Sequence, residues 1–423
     1  MSVVAAFGAG LSGSSMTAAV LAVVVTVALL LRAIRREPVQ GDGVGVLAAC
    51  VITGRASWRI CFDSQTSSVQ PGSSHRSHVG LKAIAVVDNT ACGPAIGGVR
   101  MAPDVSTEEC FRLARAMTWK NAAAGLPHGG GKSVIFGNPR MPNDQREQVM
   151  RAFACAIRDI ADYIPGPDMG TDELCMGWVK DETGRATGLP SALGGIPLDQ
   201  VGATGYGLAA CTDVAREFIG LELKGARVAV QGFGAVGKHA ARFLAQKGAV
   251  LVAASDTSGT LADPSGLDIA QLIALKDAGK SLHDHSQGTK LDTDAILDID
   301  CDIWIPAARP DVVHAGNVVR LKTRLMPQGA NIPCTPEAEK ALHQRGVLVV
   351  PDFIANAGGV ICAAIEYRGG TERAAFDSIN DRIRTNTRLV LEESRRNGGL
   401  PRAAALALAA RRLRAAMQTR RWR

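Results

Sequence analysis

Lys120 and Lys132 stand twelve residues apart in Met117-Thr-Trp-Lys120-Asn-Ala-Ala-Ala-Gly-Leu-Pro-His-Gly-Gly-Gly-Lys132, around a run of three glycines. Two amines this close make poor core and a plausible anion site. Each ammonium raises the cost of protonating the other, and burial in a cleft depresses a lysine pKa further, which is how an amine becomes a base near neutral pH. Gly129, Gly130 and Gly131 carry no side chains, so backbone and ligand can approach Lys132 closely. An arbitrary pair would be two solvated lysines beside a turn; the rest of the chain argues against that.

The elements around the lysines follow from local pattern. Ser106-Thr-Glu-Glu109 reads as a capping box that opens a helix ending near Gly125, with Lys120 in its last turns. Lys132 leads into a strand over 133–136, so helix and strand should converge on a glycine turn. A β-rich run over 81–87 precedes them, and helical spacing of Val149, Phe153, Ile157 and Ile160 predicts a helix over 145–163.

After about Ala203 the character changes. The strand 226–231 is followed at once by Gly232-Phe233-Gly234-Ala235-Val236-Gly237, then a helix through Leu244 and a strand 249–254 closed by Ser255-Asp256. This is the context a dinucleotide fingerprint requires: Gly232 for the tight turn, Gly234 to admit a pyrophosphate to the helix N-terminus, Gly237 for close helix–strand packing. Asp256 would accept hydrogen bonds from the adenosine ribose. No Arg or Lys lies in 255–260 to receive a 2′-phosphate, so NAD is expected, with NADP second. Strands at 301–305, 325–328 and 347–350 would complete a doubly wound sheet.

Composition bounds the rest. A chain of 423 residues, rich in Ala, Gly and Val and poor in aromatics, suits helix-on-sheet layers in two or three domains. The formal charge of +7 matches the seven arginines of 401–423, which contain no acid. That tail reads as a solvated helix face and fraying terminus, so a nucleic-acid partner is not expected. The ten cysteines show no C-x-x-C pair and no zinc spacing, which points to reduced thiols in the cytoplasm and no metal, and His283 and His285 read as loop residues. An apolar segment over 16–31 followed by Arg32, Arg35 and Arg36 could span a bilayer with the remainder cytoplasmic, or be an extension without structure of its own. Residues 41–80 read as a serine-rich, poorly ordered linker.

With these pieces placed, the chain from about Leu81 to the late three-hundreds resembles the glutamate/leucine/phenylalanine/valine dehydrogenase family. The likeness is carried by Gly93-Pro-Ala-Ile96-Gly-Gly98-Val-Arg-Met, the lysine segment, Pro165-Gly-Pro-Asp168-Met-Gly-Thr, Gly202-Ala-Thr204-Gly, the glycine turn, Gly329-Ala-Asn331 and Asn356-Ala-Gly-Gly. It implies a two-domain α/β enzyme: an extension over 1–80, a mixed-sheet substrate domain over 81–200, a Rossmann-type nucleotide domain over 201–355, and helices over 356–423 that return to the substrate domain. It also implies a homo-oligomer. Lys120 would hold the substrate α-carboxylate, Lys132 would be the catalytic amine and Asp168 would transfer protons. Thr204, Asn331 and Asn356 would contact the nicotinamide end of the cofactor.

Substrate choice turns on two positions beside Gly98. In glutamate-selective members a lysine precedes the Gly-Gly and pairs with the side-chain carboxylate, and a serine lies seven residues past the later asparagine. Here these are Ile96 and Ala363. An unpaired buried carboxylate costs several kcal/mol, roughly, whereas an aliphatic side chain gains about 1.5–3 kcal/mol on burial. The expectation is therefore oxidative deamination of an aliphatic amino acid of leucine or valine type. Glutamate is the alternative, favoured by the wording of Gly166-Pro-Asp-Met-Gly-Thr-Asp-Glu173, and an inactive nucleotide-binding regulator is a further one.

Overall fold

The computed structural model describes residues 46–49, 58–63 and 80–419. The segment 16–31 with its three arginines, and Arg420, Arg421 and Arg423, lie outside them. Among the described residues no helix is long and apolar enough to cross a membrane.

The first sheet is mixed. Its strands are β1 (Val46–Ala49), β2 (Trp58–Asp63), β3 (Lys82–Asn89), β4 (Ala95–Ala102), β5 (Gly129–Phe136) and β6 (Tyr163–Pro167), in the order β1-β2-β3-β5-β4-β6. β4 runs parallel to β5 and β6, while β3 is antiparallel to β5 and to β2. The linker expected over 41–80 is thus corrected: β1 and β2 extend this sheet. Helix α1 (Thr107–Ala123) starts where predicted, with the Ser106 side chain accepting from the Glu109 N–H at 3.1 Å. Glu109 spends its carboxylate on Arg100 instead of closing the box.

The expected glycine turn is a strand. Gly129, Gly130 and Gly131 lie in β5, and none has positive φ. Crowding explains the composition. A Cβ at Gly129 would fall 1.7 Å from the Asn89 carbonyl oxygen, at Gly130 2.1 Å from the Thr118 nitrogen, and at Gly131 2.8 Å from the Tyr163 ring. The strand is squeezed against α1 on one face and against β-sheet neighbours elsewhere, so Lys132 is set on rigid, buried backbone.

Helix α2 (Asn143–Ala156) is shorter than its periodicity suggested. Ile157 is buried as the spacing demands, yet the chain turns there, and Tyr163 opens β6. The Arg185 guanidinium fixes this end by donating to the carbonyls of Ile157, Arg158, Ile160 and Tyr163. Buried side chains of β4–β6 and α2, with α3 (Glu173–Thr183), make this sheet's apolar core.

After α4 (Leu198–Val201) and α5 (Ala203–Ala215) comes the second sheet, ordered β10-β9-β8-β7-β11-β12-β13. Its strands are β7 (Arg227–Gln231), β8 (Val250–Asp256), β9 (Gly259–Ala262), β10 (Thr289–Leu291), β11 (Ile303–Pro306), β12 (Leu325–Pro327) and β13 (Leu348–Val350). β8, β7, β11, β12 and β13 are parallel, with helices α6 (Ala235–Ala245), α7 (Ile269–Asp277) and α8 (Pro336–Gln344) among the connections. The chain leaves β7 toward β8 on one side and reaches β11 on the other, so the carboxyl end of β7 is a topological switch point, where such sheets bind ligands.

The last helices are α9 (Asp352–Ala355), α10 (Gly358–Tyr367), α11 (Glu372–Asn397) and α12 (Pro401–Gln418). Here the solvated-tail expectation is corrected. Arg402 makes ion pairs with Glu339 at 2.7 Å and Asp352 at 2.8 Å, both buried acids. Arg412 donates to the carbonyls of Ala122 and Ala123, and Arg382 to those of Ala124 and Gly125. These arginines terminate α1, where unsatisfied carbonyls collect, and tie α11 and α12 to the helix carrying Lys120. The basic composition is legible in the sequence but its destination is not, because burial of an arginine depends on partners remote in sequence.

Gly130→Ala should lower the stability of the fold by about 3 kcal/mol, because its methyl group meets immobile backbone. Gly399→Ala, where nothing lies within 4 Å, should change it by less than about 0.5 kcal/mol. Urea denaturation of the two variants checks this.

Candidate active site

Alternation along β4 puts Ile96, Gly98 and Arg100 on one face. Gly98 faces both predicted catalytic groups: a Cβ there would lie 2.7 Å from the Asp168 Cβ and 3.1 Å from Lys132 Nζ. Lys132 Nζ is 2.5 Å from Asp168 Oδ2, and the lysine is only 5% exposed. Asp168 leaves β6 in a turn pinned to β4. Its N–H donates to Thr171 Oγ1, the Thr171 hydroxyl donates to the Val99 carbonyl, and the Met101 N–H donates to the Met169 carbonyl.

Arg100 stands two residues past Gly98 on the same face of β4, and that spacing is its signal in the sequence. Its Nε donates to Asp168 Oδ2 at 3.2 Å. Burial alone would raise the Asp168 pKa; Lys132 and Arg100 more than offset that and hold it down at about 2. The site therefore starts with Asp168 as a carboxylate flanked by two cations.

Lys120 comes to the same region from α1. Its Nζ donates to Asn331 Oδ1 at 3.3 Å, and Asn356 Nδ2 donates to that same oxygen at 3.0 Å. Burial lowers the Lys120 pKa to about 8; the charge of Lys132 pushes the same way, and Asp352 and Asp168 oppose it. Two lysines and a carboxylate, distant along the chain, thus act electrostatically on one another.

Asn331 is held by an unusual backbone. Ile332 has φ 50°, a left-handed conformation unfavourable for a β-branched side chain. Asp352 Oδ2 accepts the Ile332 N–H at 2.9 Å, and Asp352 is in turn paired with Arg402. Neither residue stood out in the sequence.

The glycine turn has the three expected features. Gly232 has φ 90° and lies against the Ala308 backbone, a Cβ on Gly234 would meet nothing within 4 Å, and one on Gly237 would strike the Gly232 carbonyl oxygen at 2.1 Å. No side chain caps α6, so the N–H groups around Ala235 and Val236 are available to a phosphate, while Phe233 is buried and its N–H donates to the Ser255 carbonyl. Asn356 Oδ1 is buried without a hydrogen-bond partner, and the Thr204 hydroxyl lies 3.0 Å from where a Gly359 Cβ would be. These residues fit a nicotinamide dinucleotide.

Asp256 closes β8 as predicted, but its carboxylate is already satisfied. Oδ1 accepts from Ser258 N–H and hydroxyl, and Oδ2 from Leu282 N–H and Lys276 Nζ. Lys276, twenty residues on, brings to this spot a cation that the sequence around 255–260 lacked.

Ile96 is 3% exposed, and Ala363 on α10 accepts at its carbonyl from the Thr187 hydroxyl. Neither offers charge or hydroxyl to a ligand. His128 packs edge-on to Tyr367 and its Nδ1 lies 3.1 Å from the Pro94 carbonyl, a structural position. Among the described residues no cluster of three or more His, Cys, Asp or Glu is placed to hold a metal ion.

Comparison with known proteins agrees with this geometry. A family described as Glutamate/Leucine/Phenylalanine/Valine dehydrogenase matches residues 194–421, and one described as the dimerisation domain of Glu/Leu/Phe/Val dehydrogenase matches 68–185. Glutamate dehydrogenase of Aeropyrum pernix is 40% identical over 358 residues, 79% of this chain and 85% of its own. NADP-specific glutamate dehydrogenase of Saccharolobus shibatae is 37% identical over 293 residues, 66% of this chain and 69% of its own. Among solved structures, the hetero-hexameric glutamate dehydrogenase of Thermus thermophilus in a leucine-bound form superposes with a TM-score of 0.74 at 28% identity, covering 90% of each chain.

A lysine whose pKa is lowered is a cation below that pKa and loses its proton above it. Affinity for a small monocarboxylate should therefore be full below about pH 7 and fall as pH rises through about 8, by up to tenfold per unit. Lys120→Ala should bind weakly at every pH. Titration calorimetry between pH 6 and 10 measures both.

Proposed function

The chain belongs to the glutamate/leucine/phenylalanine/valine dehydrogenase family and is an amino-acid dehydrogenase acting on a CH–NH2 group, and from that premise we propose that it interconverts an L-amino acid with its 2-oxo acid and ammonia, using NAD or NADP. The observation that carries this reading is the Lys132–Asp168 pair beside Gly98, with Lys120 close enough to feel both of their charges.

A bound nicotinamide would supply the acceptor for the hydride of the substrate Cα, whose loss converts the amine to an imine. The chain's residues do the remainder. Lys120 holds the α-carboxylate, and its tie to Asn331 links carboxylate binding to Asn356, which would hold the nicotinamide end of the cofactor. Lys132, whose Nζ lies 2.5 Å from Asp168 Oδ2, acts as the neutral amine that takes a proton from water attacking the imine carbon. Asp168, held as a carboxylate, relays a proton from the Lys132 ammonium to the amine nitrogen, and Lys132 then takes the hydroxyl proton as the C–N bond breaks, the carbonyl forms and ammonia leaves.

For the substrate side chain we favour L-glutamate. The support is the likeness, over 66–79% of this chain, to proteins named glutamate dehydrogenase, at 37–40% identity. The leucine or valine expectation is retained as a second reading, on one observation: Ile96 and Ala363 give a γ-carboxylate neither cation nor hydroxyl. Under the first reading the cation must come from another residue.

An oligomer is proposed on the dimerisation-domain match and the hexameric neighbour, and the cytoplasm as its place. The cofactor stays open between NAD and NADP, since one relative carries the name NADP-specific.

A panel of L-amino acids with each nicotinamide cofactor, followed by absorbance of the reduced ring, tests the reading. L-Glutamate should give the highest kcat/KM, and Lys132→Ala should lower kcat by about a thousandfold. If leucine or valine leads instead, the second reading holds and Ile96→Lys should raise glutamate kcat/KM at least about tenfold. No turnover of any amino acid would overturn the proposal.

A further inference from the structure

The acid that closes β8 is engaged by its own protein. A carboxylate offers about four lone-pair directions. At Asp256 four donors fill them: Ser258 N–H at 2.9 Å, Ser258 hydroxyl at 2.6 Å, Leu282 N–H at 2.9 Å and Lys276 Nζ at 2.7 Å. Two of the four are backbone groups, set by the turn after β8 and by the 3-10 turn Leu282–Asp284. Ser258 is local to the turn. The donor free to move is Lys276, in the last turn of α7, on four flexible methylenes and with its side chain 24% exposed.

This changes what the end of β8 presents to a dinucleotide. A bare aspartate there repels a 2′-phosphate and accepts from the two ribose hydroxyls. Here its charge is balanced, and a ribose hydroxyl can bond to Asp256 only by displacing a donor. An ammonium has three N–H groups, so one lysine can keep a bond to Asp256 and give another to a phosphate oxygen. Lys280 and Lys290 act on Asp284 and Lys238 of α6 holds Asp277 at 2.6 Å, so these lysines have acids of their own, and Lys276 is the cation that bonds Asp256.

We propose that Lys276 is the residue that sets cofactor choice. It yields Asp256 to the ribose hydroxyls of NAD, and it bridges Asp256 to the 2′-phosphate of NADP, so that the enzyme uses both. This rests on the reading of the second sheet as the cofactor site and adds the group that discriminates within it.

The test is made on the full chain with two fragments of the cofactors, 5′-AMP and adenosine 2′,5′-bisphosphate, by titration calorimetry at fixed ionic strength. Wild type should bind the two within about tenfold of each other. Lys276→Met should shift the ratio of their dissociation constants toward 5′-AMP by about tenfold to a hundredfold, as expected for one charge-assisted hydrogen bond lost. Lys276→Arg should retain most of the bisphosphate binding, and the kcat/KM ratio of NADP to NAD should move in parallel. An unchanged ratio in Lys276→Met, or wild type that fails to bind the bisphosphate, overturns the proposal. Circular dichroism of the variant separates misfolding from lost recognition. Should both fragments bind as described while no amino acid is oxidised, the dehydrogenase reading fails and the assignment of Lys276 stands.

Discussion

The 2.5 Å contact between Lys132 and Asp168 is the interaction on which the remaining structure turns. It requires two backbones to be brought almost together, and the fold meets that requirement by leaving side chains out. Gly98 makes room on β4, the glycines of β5 let that strand press against α1, β3 and Tyr163, and Gly170, at φ 81°, lets the turn bearing Asp168 fold onto the Met101 carbonyl. Asn121 locks the assembly from within, donating to the carbonyls of Ile96 and Gly129. An amine and a carboxylate held this rigidly lose little entropy on the way to proton transfer.

A second layer of charge supports the first. Arg402 neutralises Asp352, Asp352 holds the strained Ile332, and Ile332 follows the Asn331 that touches Lys120. The C-terminal helix is thereby part of the support for the site. The arginines that cap α1 do the same from its other end. Basic residues that a linear reading assigns to solvent are here counter-charges for buried acids and carbonyls.

Much of this was legible in the sequence. The glycine turn, its flanking strands and Asp256 were readable because a dinucleotide fold compresses its requirements into one short stretch, where Gly232, Gly234 and Gly237 each answer a separate steric demand. Lys120, Lys132 and Asp168 were named from residue type and family likeness, and the structure brings them together. What escaped depended on partners far along the chain. Gly129–Gly131 look like a turn until Thr118, Asn89 and Tyr163 crowd them into a strand; Lys276 reaches Asp256 only through the path of α7; Arg100 is obvious only once β4 has two faces. The helix expected to run to Tyr163 stops at Ala156 because Arg185, outside that window, gathers its carbonyls. The substrate expectation drawn from Ile96 and Ala363 stands against the names of the relatives, and two positions of a pocket do not outweigh a likeness over most of the chain.

The most direct measurement of the central claim is stopped-flow reduction of the nicotinamide by wild type and by Asp168→Asn, with cofactor affinity measured in parallel. If the Lys132–Asp168 pair moves the protons that follow hydride transfer, the variant binds cofactor normally and gives a first burst of reduced nicotinamide, but its later steady rate is at least about a hundredfold lower. A variant that matches wild type to within a few-fold would contradict the account, because the carboxylate would then be no more than a structural counter-ion for Lys132.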